Sequence, residues 1–214
     1  MRSAVFFNPE NIPDGATDFF NYIYIPLELY EKRRFDGLGV MLPEVIFDSE
    51  RDKVKKMLIS AYNNGARDAL VGNIGHIELA RELGFEVHGD IRLNVFNSSS
   101  MAKLEKEGLC DCVLSPELTL RQIRDIGGRS AVTVYGRLPL MILEKCVGKE
   151  IADCKRCGEG RAALTDRKGV SFPVIRRFEH RSLILNSVPI YMADRKDELR
   201  RAEITAEHFI FSVE

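Results

Sequence analysis

Seven short apolar runs, at residues 4–7, 22–25, 39–42, 69–72, 86–88, 111–114 and 131–135, recur along this chain with helical patterns between them. Strands that are apolar throughout are buried on both faces, and a repeated strand, helix, strand order makes neighbouring strands parallel. The repeat therefore admits two α/β architectures, an open doubly wound sheet or a (βα) barrel of TIM type. Helices are read at 49–64, 74–83, 98–106 and 116–126. The first is the clearest, because Val54, Met57, Leu58 and Ala61 fall on one face, Ser49 stands as its N-cap and Asn64-Gly65 stops it. Gly84, Gly108 and Gly127 stop the others, and Ser115 is read as the cap of the helix at 116–126.

The barrel is preferred. Polar residues collect just after the apolar runs: Asn73, then Asp90 and Asn94, then Ser115 and Glu117, then Tyr135 and Arg137. In a barrel these positions converge on the face formed by the strands' C-terminal ends, where barrel enzymes hold their chemistry. A doubly wound dinucleotide fold would carry a G-x-G-x-x-G loop after an early strand, and none is present. Asp90, Asn94 and Arg137 are the candidate catalytic residues, with Asn73, Glu117 and Tyr135 as candidate substrate contacts. Arg137 offers a two-pronged grip on a carboxylate or phosphate. The plainer reading of the same residues is scaffold: Glu117 at a helix start, Arg137 paired with Asp90 or Glu117. His76, His88 and His208 have no diagnostic partner and are read first as hydrogen-bonded scaffold.

A chain of 214 residues, 45% hydrophobic and with a formal net charge of −1, is expected to form one globular domain over residues 1–214. That near-neutral charge gives no field to attract nucleic acid or a membrane surface. No run approaches the roughly 20 apolar residues that cross a bilayer, and the N-terminus does not read as a signal peptide. With cysteine usage this sparse, a reducing, cytoplasmic setting is expected.

After Arg137 the repeat breaks. Residues 137–181 are read as an excursion within the domain, irregular over 146–173, and they carry Cys146, Cys154 and Cys157. Thiolates so spaced, with a Cys-x-x-Cys pair in a glycine-rich stretch, can close around one metal, and Lys145, Lys155 and Arg156 would ease their deprotonation. Cys110 and Cys112 lie in an apolar run and read as buried strand residues. Order returns at 182–190, and 204–213 reads as one more strand with no helix after it, so the barrel is expected to stop short of completion. Open strand edges would then need cover from an N-terminal partner domain or a second copy of the chain.

Five ordered motifs, GDIRLNVFNS at 89–98, LSPELTL at 114–120, YGRLPLM at 135–141, TDRKGVSFP at 165–173 and LNSVP at 185–189, resemble the collagenase-like peptidase family U32. The resemblance spans residues 65–195 and is to the C-terminal barrel portion of longer relatives. It implies a barrel-like fold and four metal-binding side chains, usually all cysteine, with His180 standing at the position of the last. It also implies one of two activities: the peptide hydrolysis for which the family is named, or the hydroxylation of RNA bases or quinone precursors supported by its iron–sulfur members. A Cys₃His set suits tetrahedral zinc and, less commonly, an iron–sulfur cluster. No H-E-x-x-H or G-x-S-x-G is present to equip a protease. Three readings follow: a metal-centre domain acting in modification of an RNA base or aromatic small molecule, a metal-dependent peptidase, and a non-catalytic domain stapled by zinc.

Overall fold

The computed structural model describes residues 1–30, 35, 37–151 and 162–213, with the backbone alone at 150 and 151. In chain order the elements are β1 (Arg2–Phe6), α1 (Ala16–Phe19), β2 (Tyr22–Pro26), α2 (Leu27–Tyr30), β3 (Gly39–Met41), α3 (Asp48–Asn63), β4 (Asp68–Val71), α4 (Gly75–Glu82) and β5 (Glu86–Gly89). There follow α5 (Ser98–Lys106), β6 (Leu109–Val113), α6 (Leu120–Ile126), β7 (Ser130–Gly136), β8 (Pro139–Leu143), α7 (Val147–Ile151), β9 (Ala162–Thr165), β10 (Ser171–Arg176), β11 (Ser182–Leu185), β12 (Ile190–Tyr191), α8 (Lys196–Arg201) and β13 (Glu207–Phe211).

Strands β1 to β7 pair in sequence order, all parallel, and β13 lies between β7 and β1, parallel to both. The result is a closed eight-stranded parallel barrel flanked by helices. This corrects the expectation of an incomplete barrel: the terminal segment is the closing strand, paired from Arg2↔Glu207 to Phe6↔Phe211. Pattern alone identifies such a strand but not its neighbours, which here are drawn from opposite ends of the chain. With both edges of every barrel strand engaged, the reason for expecting a partner over open edges is gone.

Period-two alternation sorts the strand residues. Ala4, Phe6, Ile23, Ile25, Val40, Ala69, Val71 and Val87 face outward into one continuous core with the helices, to which α3 contributes Val54, Met57, Leu58 and Ala61 as its spacing predicts. Fully burying a side chain such as Leu58 contributes about 2 kcal/mol. Inside the barrel, Val5, Tyr24, Met41 and Leu70 form one apolar cluster, and Ile91, Val113, Ala131, Ala206 and Ile210 form another. The lumen is therefore a packed core.

Helix starts differ from the sequence reading in two places. Helix α3 begins one residue earlier than Ser49, and Glu50 reaches back to accept from the Phe47 backbone N–H at 2.9 Å. Helix α6 begins at Leu120, capped by Thr119 in a box with Gln122, so Ser115 is not its cap. Both follow from a carboxylate or amide three residues in satisfying the N-cap backbone donor.

The excursion is more regular than its composition predicts. Strands β8, β11, β10 and β9, in that order, form an antiparallel sheet between the seventh and eighth barrel strands. Alternating direction brings the end of β8, the start of β11, the end of β10 and the start of β9 to one edge of this sheet, with Leu143 opposite Ser182 and Val174 opposite Ala162. No described helix is long and apolar enough to cross a membrane.

Candidate functional site

Charged side chains close the barrel mouth. Arg92, after β5, donates from Nε to Asp90 at 2.6 Å and lies 2.7 Å through Nη1 from Glu44, after β3. Arg177 reaches in from the corner between β10 and β11, giving Nε to Glu44 at 2.8 Å and Nη1 to Glu28 at 2.6 Å, with its guanidinium over the Phe7 ring. Gly72 leaves room for the pair, since a Cβ there would come within 3.0 Å of Arg92 Nε. Burial alone would raise the Glu44 carboxyl, but Arg177 and then Arg92 hold it at about 2.

The corner carrying Arg177 is clamped at both ends. Arg181, 1% exposed, binds Glu50 at 2.7 Å, Glu144 at 2.8 Å and the Val45 carbonyl at 3.3 Å. Between the two arginines Glu179 and His180 both take positive φ, 53° and 64°. Two consecutive side-chain-bearing residues in that region cost of order 1 kcal/mol each or more, which the arginine anchors offset.

Beneath the network lies a small cavity of about 10 Å³, room for a single water, lined in part by Asp90, Arg92, Arg137, Leu185 and His208. His208 is fully buried on β13; Ser3 Oγ lies 2.9 Å from its Nδ1, and its Nε2 has no hydrogen-bond partner. Burial lowers its pKa to about 4, against a smaller opposing pull from Asp90 and Asp111. The unfolded chain, with an ordinary histidine at 6.5, takes up a proton first as pH falls. Stability supplied by this neutral imidazole is therefore complete above 6.5 and lost between 6.5 and 4, by about 3 kcal/mol. Urea melts at pH 7 and pH 4 should show that loss in the wild type and a shallower one in His208→Gln. Equal slopes would contradict the assignment.

The six rim residues separate into two groups. Asp90 and Arg137 meet at the cavity, Asp90 4% exposed and ion-paired, Arg137 donating through Nη1 to the backbone carbonyls of Asn186, at 2.9 Å, and Ser187. Asn94 is exposed with φ 50° and ends the short 3-10 turn Ile91–Leu93. Asn73 is exposed and accepts from the Gly75 N–H at 2.9 Å, starting α4. Glu117 is exposed, and its own N–H donates to Ser115 Oγ at 3.4 Å. Tyr135 packs its ring against Phe211 and Tyr191. Sequence reasoning did not single out Glu28, Glu44, Arg92 or Arg177. The usable signal was present for one of them, since Arg92 lies two residues after Asp90 in a named motif.

Of the metal candidates, Cys146 and His180 are described, whereas Cys154 and Cys157 lie outside the described residues. Cys146 follows β8 and His180 precedes β11, so both stand at the same edge of the four-stranded sheet; Ser182 Oγ accepts the Val147 N–H there at 3.0 Å. His180 is exposed, with its Nε2 3.3 Å from Arg176 Nη2, so that nitrogen is the acceptor, the electronic form in which imidazole also ligates metals.

A second concavity, about 440 Å³, opens on the barrel flank where β6 and β7 share only two register pairs. Ser115, Thr119, Tyr191, Arg195 and Glu198 line it beside apolar residues, and Thr133 contributes a buried Oγ1 with no hydrogen-bond partner. Its volume falls in the range of small-molecule sites, which the mouth cavity does not reach.

Comparison with known proteins agrees with this architecture. The solved structure of the U32 peptidase Mk0906 superposes with a TM-score of 0.51 over 100% of this chain and 93% of that one, at 14% identity. The uncharacterized protease MJ0090 of Methanocaldococcus jannaschii is 35% identical over 82 residues, which are 38% of this chain and 20% of that protein's length. The model of peptidase family U32 matches residues 29–206, and on that match the chain belongs to peptidase family U32.

Proposed function

We propose that this chain is a metal-centre barrel domain whose excursion holds zinc or an iron–sulfur cluster through Cys146, Cys154, Cys157 and His180, and that it acts in hydroxylation or a related modification of an RNA base or aromatic small molecule. The observation that carries this reading is the placement of Cys146 and His180 at one edge of the excursion's sheet, His180 on the corner locked by Arg177 and Arg181. Both donors fit a thiolate-rich site, and a Cys₃His set suits tetrahedral zinc well and an iron–sulfur cluster less commonly. A bound cluster would supply electron transfer; bound zinc, with four protein ligands, would supply a structural staple. Room for a planar ligand exists in the flank cleft.

Peptide hydrolysis has less support. Ser3 and His208 do form a serine–histidine pair, but both are buried within the barrel, and the serine faces Nδ1. A peptide backbone cannot reach them without unpacking the lumen.

Anaerobic purification followed by a visible spectrum and metal analysis tests the reading. The excursion is expected to contribute one metal centre per chain, lost in Cys146→Ser and in Cys154→Ser. A brown protein selects the cluster, and a colourless zinc protein selects the staple. Absence of stoichiometric zinc and iron would overturn the proposal, and casein turnover that vanishes with the metal would move the assignment to peptidase.

A further inference from the structure

The barrel wall opens where two strands part. Strands β6 and β7 pair at Cys112↔Ser130 and Val113↔Ala131, and the Leu114 N–H donates to the Ala131 carbonyl at 2.9 Å. Strand β12 takes up the same edge of β7 further on, where the Val134 carbonyl accepts the Met192 N–H at 3.0 Å. Between these partners the edge at Val132 and Thr133 is left to the flank cleft of about 440 Å³, whose apolar wall includes Leu118, Ile123 and Ile190. Alternation gives the cleft its depth. Val132 packs in the outer core, whereas Thr133 pairs with His208 on the lumen side, and both line the opening.

Polar groups stand at its two ends. Thr133, at the inner end, is 5% exposed, and its Oγ1 has no hydrogen-bond partner. An unsatisfied buried hydroxyl is costly, so this position favours an occupant that brings a donor or acceptor. Arg195 and Glu198, both exposed, line the mouth where α8 begins. Opposite charges three apart on a helix attract, as Asp197 and Arg200 do at 3.3 Å on the same helix. Among the described residues, however, neither Arg195 nor Glu198 forms a side-chain ion pair.

We infer that the flank cleft binds a small zwitterion with a hydroxyl-tipped apolar body, a free α-amino acid of the tyrosine class. Its carboxylate meets Arg195, its ammonium meets Glu198, its ring lies along the apolar wall and its hydroxyl reaches Thr133. The reverse orientation would strip a charge of water beside Thr133, which supplies no counter-ion. A polyanion such as a nucleic acid strand would set its phosphates against Glu198. This names the aromatic small molecule of the proposed function and rests on that reading for the ligand's role, while binding itself needs no metal.

Calorimetric titration of the full-length protein with L-tyrosine, tyramine, hydroxyphenylpropionate and L-phenylalanine tests the site. L-Tyrosine should bind, with affinity falling about fivefold when either charged group is missing and about tenfold in L-phenylalanine, which leaves Thr133 unpaired. Arg195→Ala should weaken L-tyrosine and hydroxyphenylpropionate by about fivefold and leave tyramine unchanged. Glu198→Ala should weaken L-tyrosine and tyramine instead. Thr133→Val should erase the preference for L-tyrosine over L-phenylalanine, with circular dichroism reporting its fold. Absence of saturable L-tyrosine binding overturns the site, as does binding that neither Arg195→Ala nor Glu198→Ala alters. Cys146→Ser should bind L-tyrosine as the wild type does, so loss of the metal reading and loss of this site show as separate results.

Discussion

Replacing Gly136 with alanine is expected to break the barrel seam and cost well over 3 kcal/mol, enough to leave little folded protein. Gly136 ends β7 at φ 113°, and a Cβ there would stand 2.0 Å from the Ile210 carbonyl oxygen and 2.7 Å from Ile210 Cβ. The obstacle is backbone of the closing strand, which no rotamer change can move. The same residue pairs with Ile190 of β12, so displacement of β7 strains both neighbours. Gly169→Ala separates the clash from the cost of positive φ, because Gly169 has φ 79° and a Cβ added there would meet nothing within 4 Å. That control should lose only about 1 kcal/mol. Chemical denaturation of the two variants decides the matter, and similar small losses in both would mean that the seam can yield by more than about 1 Å without cost, contrary to a close-packed interior.

Arg177→Met is expected to destabilise the protein by about 3 to 5 kcal/mol, the usual consequence of removing one partner from a buried charged network. The methionine retains much of the stem, but Glu44 and Asp90 would then share Arg92 alone, and Glu28 would lose its ion pair with Arg177. Glu44, 8% exposed, has no route to water to offset the loss. Arg177→Lys should recover part of the stability, since an ammonium reaches one carboxylate where the guanidinium forks to two. The loss should be smaller at pH 3 than at pH 7, because protonating Glu44 removes the uncompensated charge only in the variant, where Arg92 alone no longer offsets burial enough to hold that carboxyl near 2. Equal losses at both pH values would assign the effect to packing against Phe7 instead.

The two variants probe features that the sequence discloses unequally. Barrel strands were legible because burial on both faces writes apolar character into consecutive residues: the runs at 22–25 and 39–42 coincide with β2 and β3 to within a residue. Helix α3 was legible from its face. The closing role of β13 was not, because its partners β1 and β7 are remote in the chain, and neither was the seam's dependence on Gly136. The excursion's strands escaped notice because β9 alternates half-buried and exposed residues and β10 fully buries only Val174, with glycine and charge in their turn. At the mouth, Asp90 and Arg137 could be named from their place after strands, yet Glu44 and Arg177 are 133 residues apart and no spacing rule joins them. The ion-paired cluster at the barrel's N-terminal end, His88 between Asp68 at 3.2 Å and Asp111 at 3.0 Å, was overlooked for another reason. A barrel's chemistry is sought at its other end, so Asp68, His88 and Asp111, each inside or beginning an apolar run, read as isolated polar interruptions rather than as one cluster.

Placement of β13 between β1 and β7 also governs the order in which the molecule can assemble. Every rung of the β1–β13 ladder joins residues 205 positions apart, as Arg2 joins Glu207. Loop-closure entropy has to be met before such rungs return anything, whereas the β2 to β6 rungs form between near neighbours. Folding should therefore run from the middle of the chain outward, with β1 and β7 waiting as two bare edges. During that interval the chain is most open to pairing with another copy of itself, so the rate of seam closure, more than the final stability, sets how concentrated a refolding solution can be before material is lost.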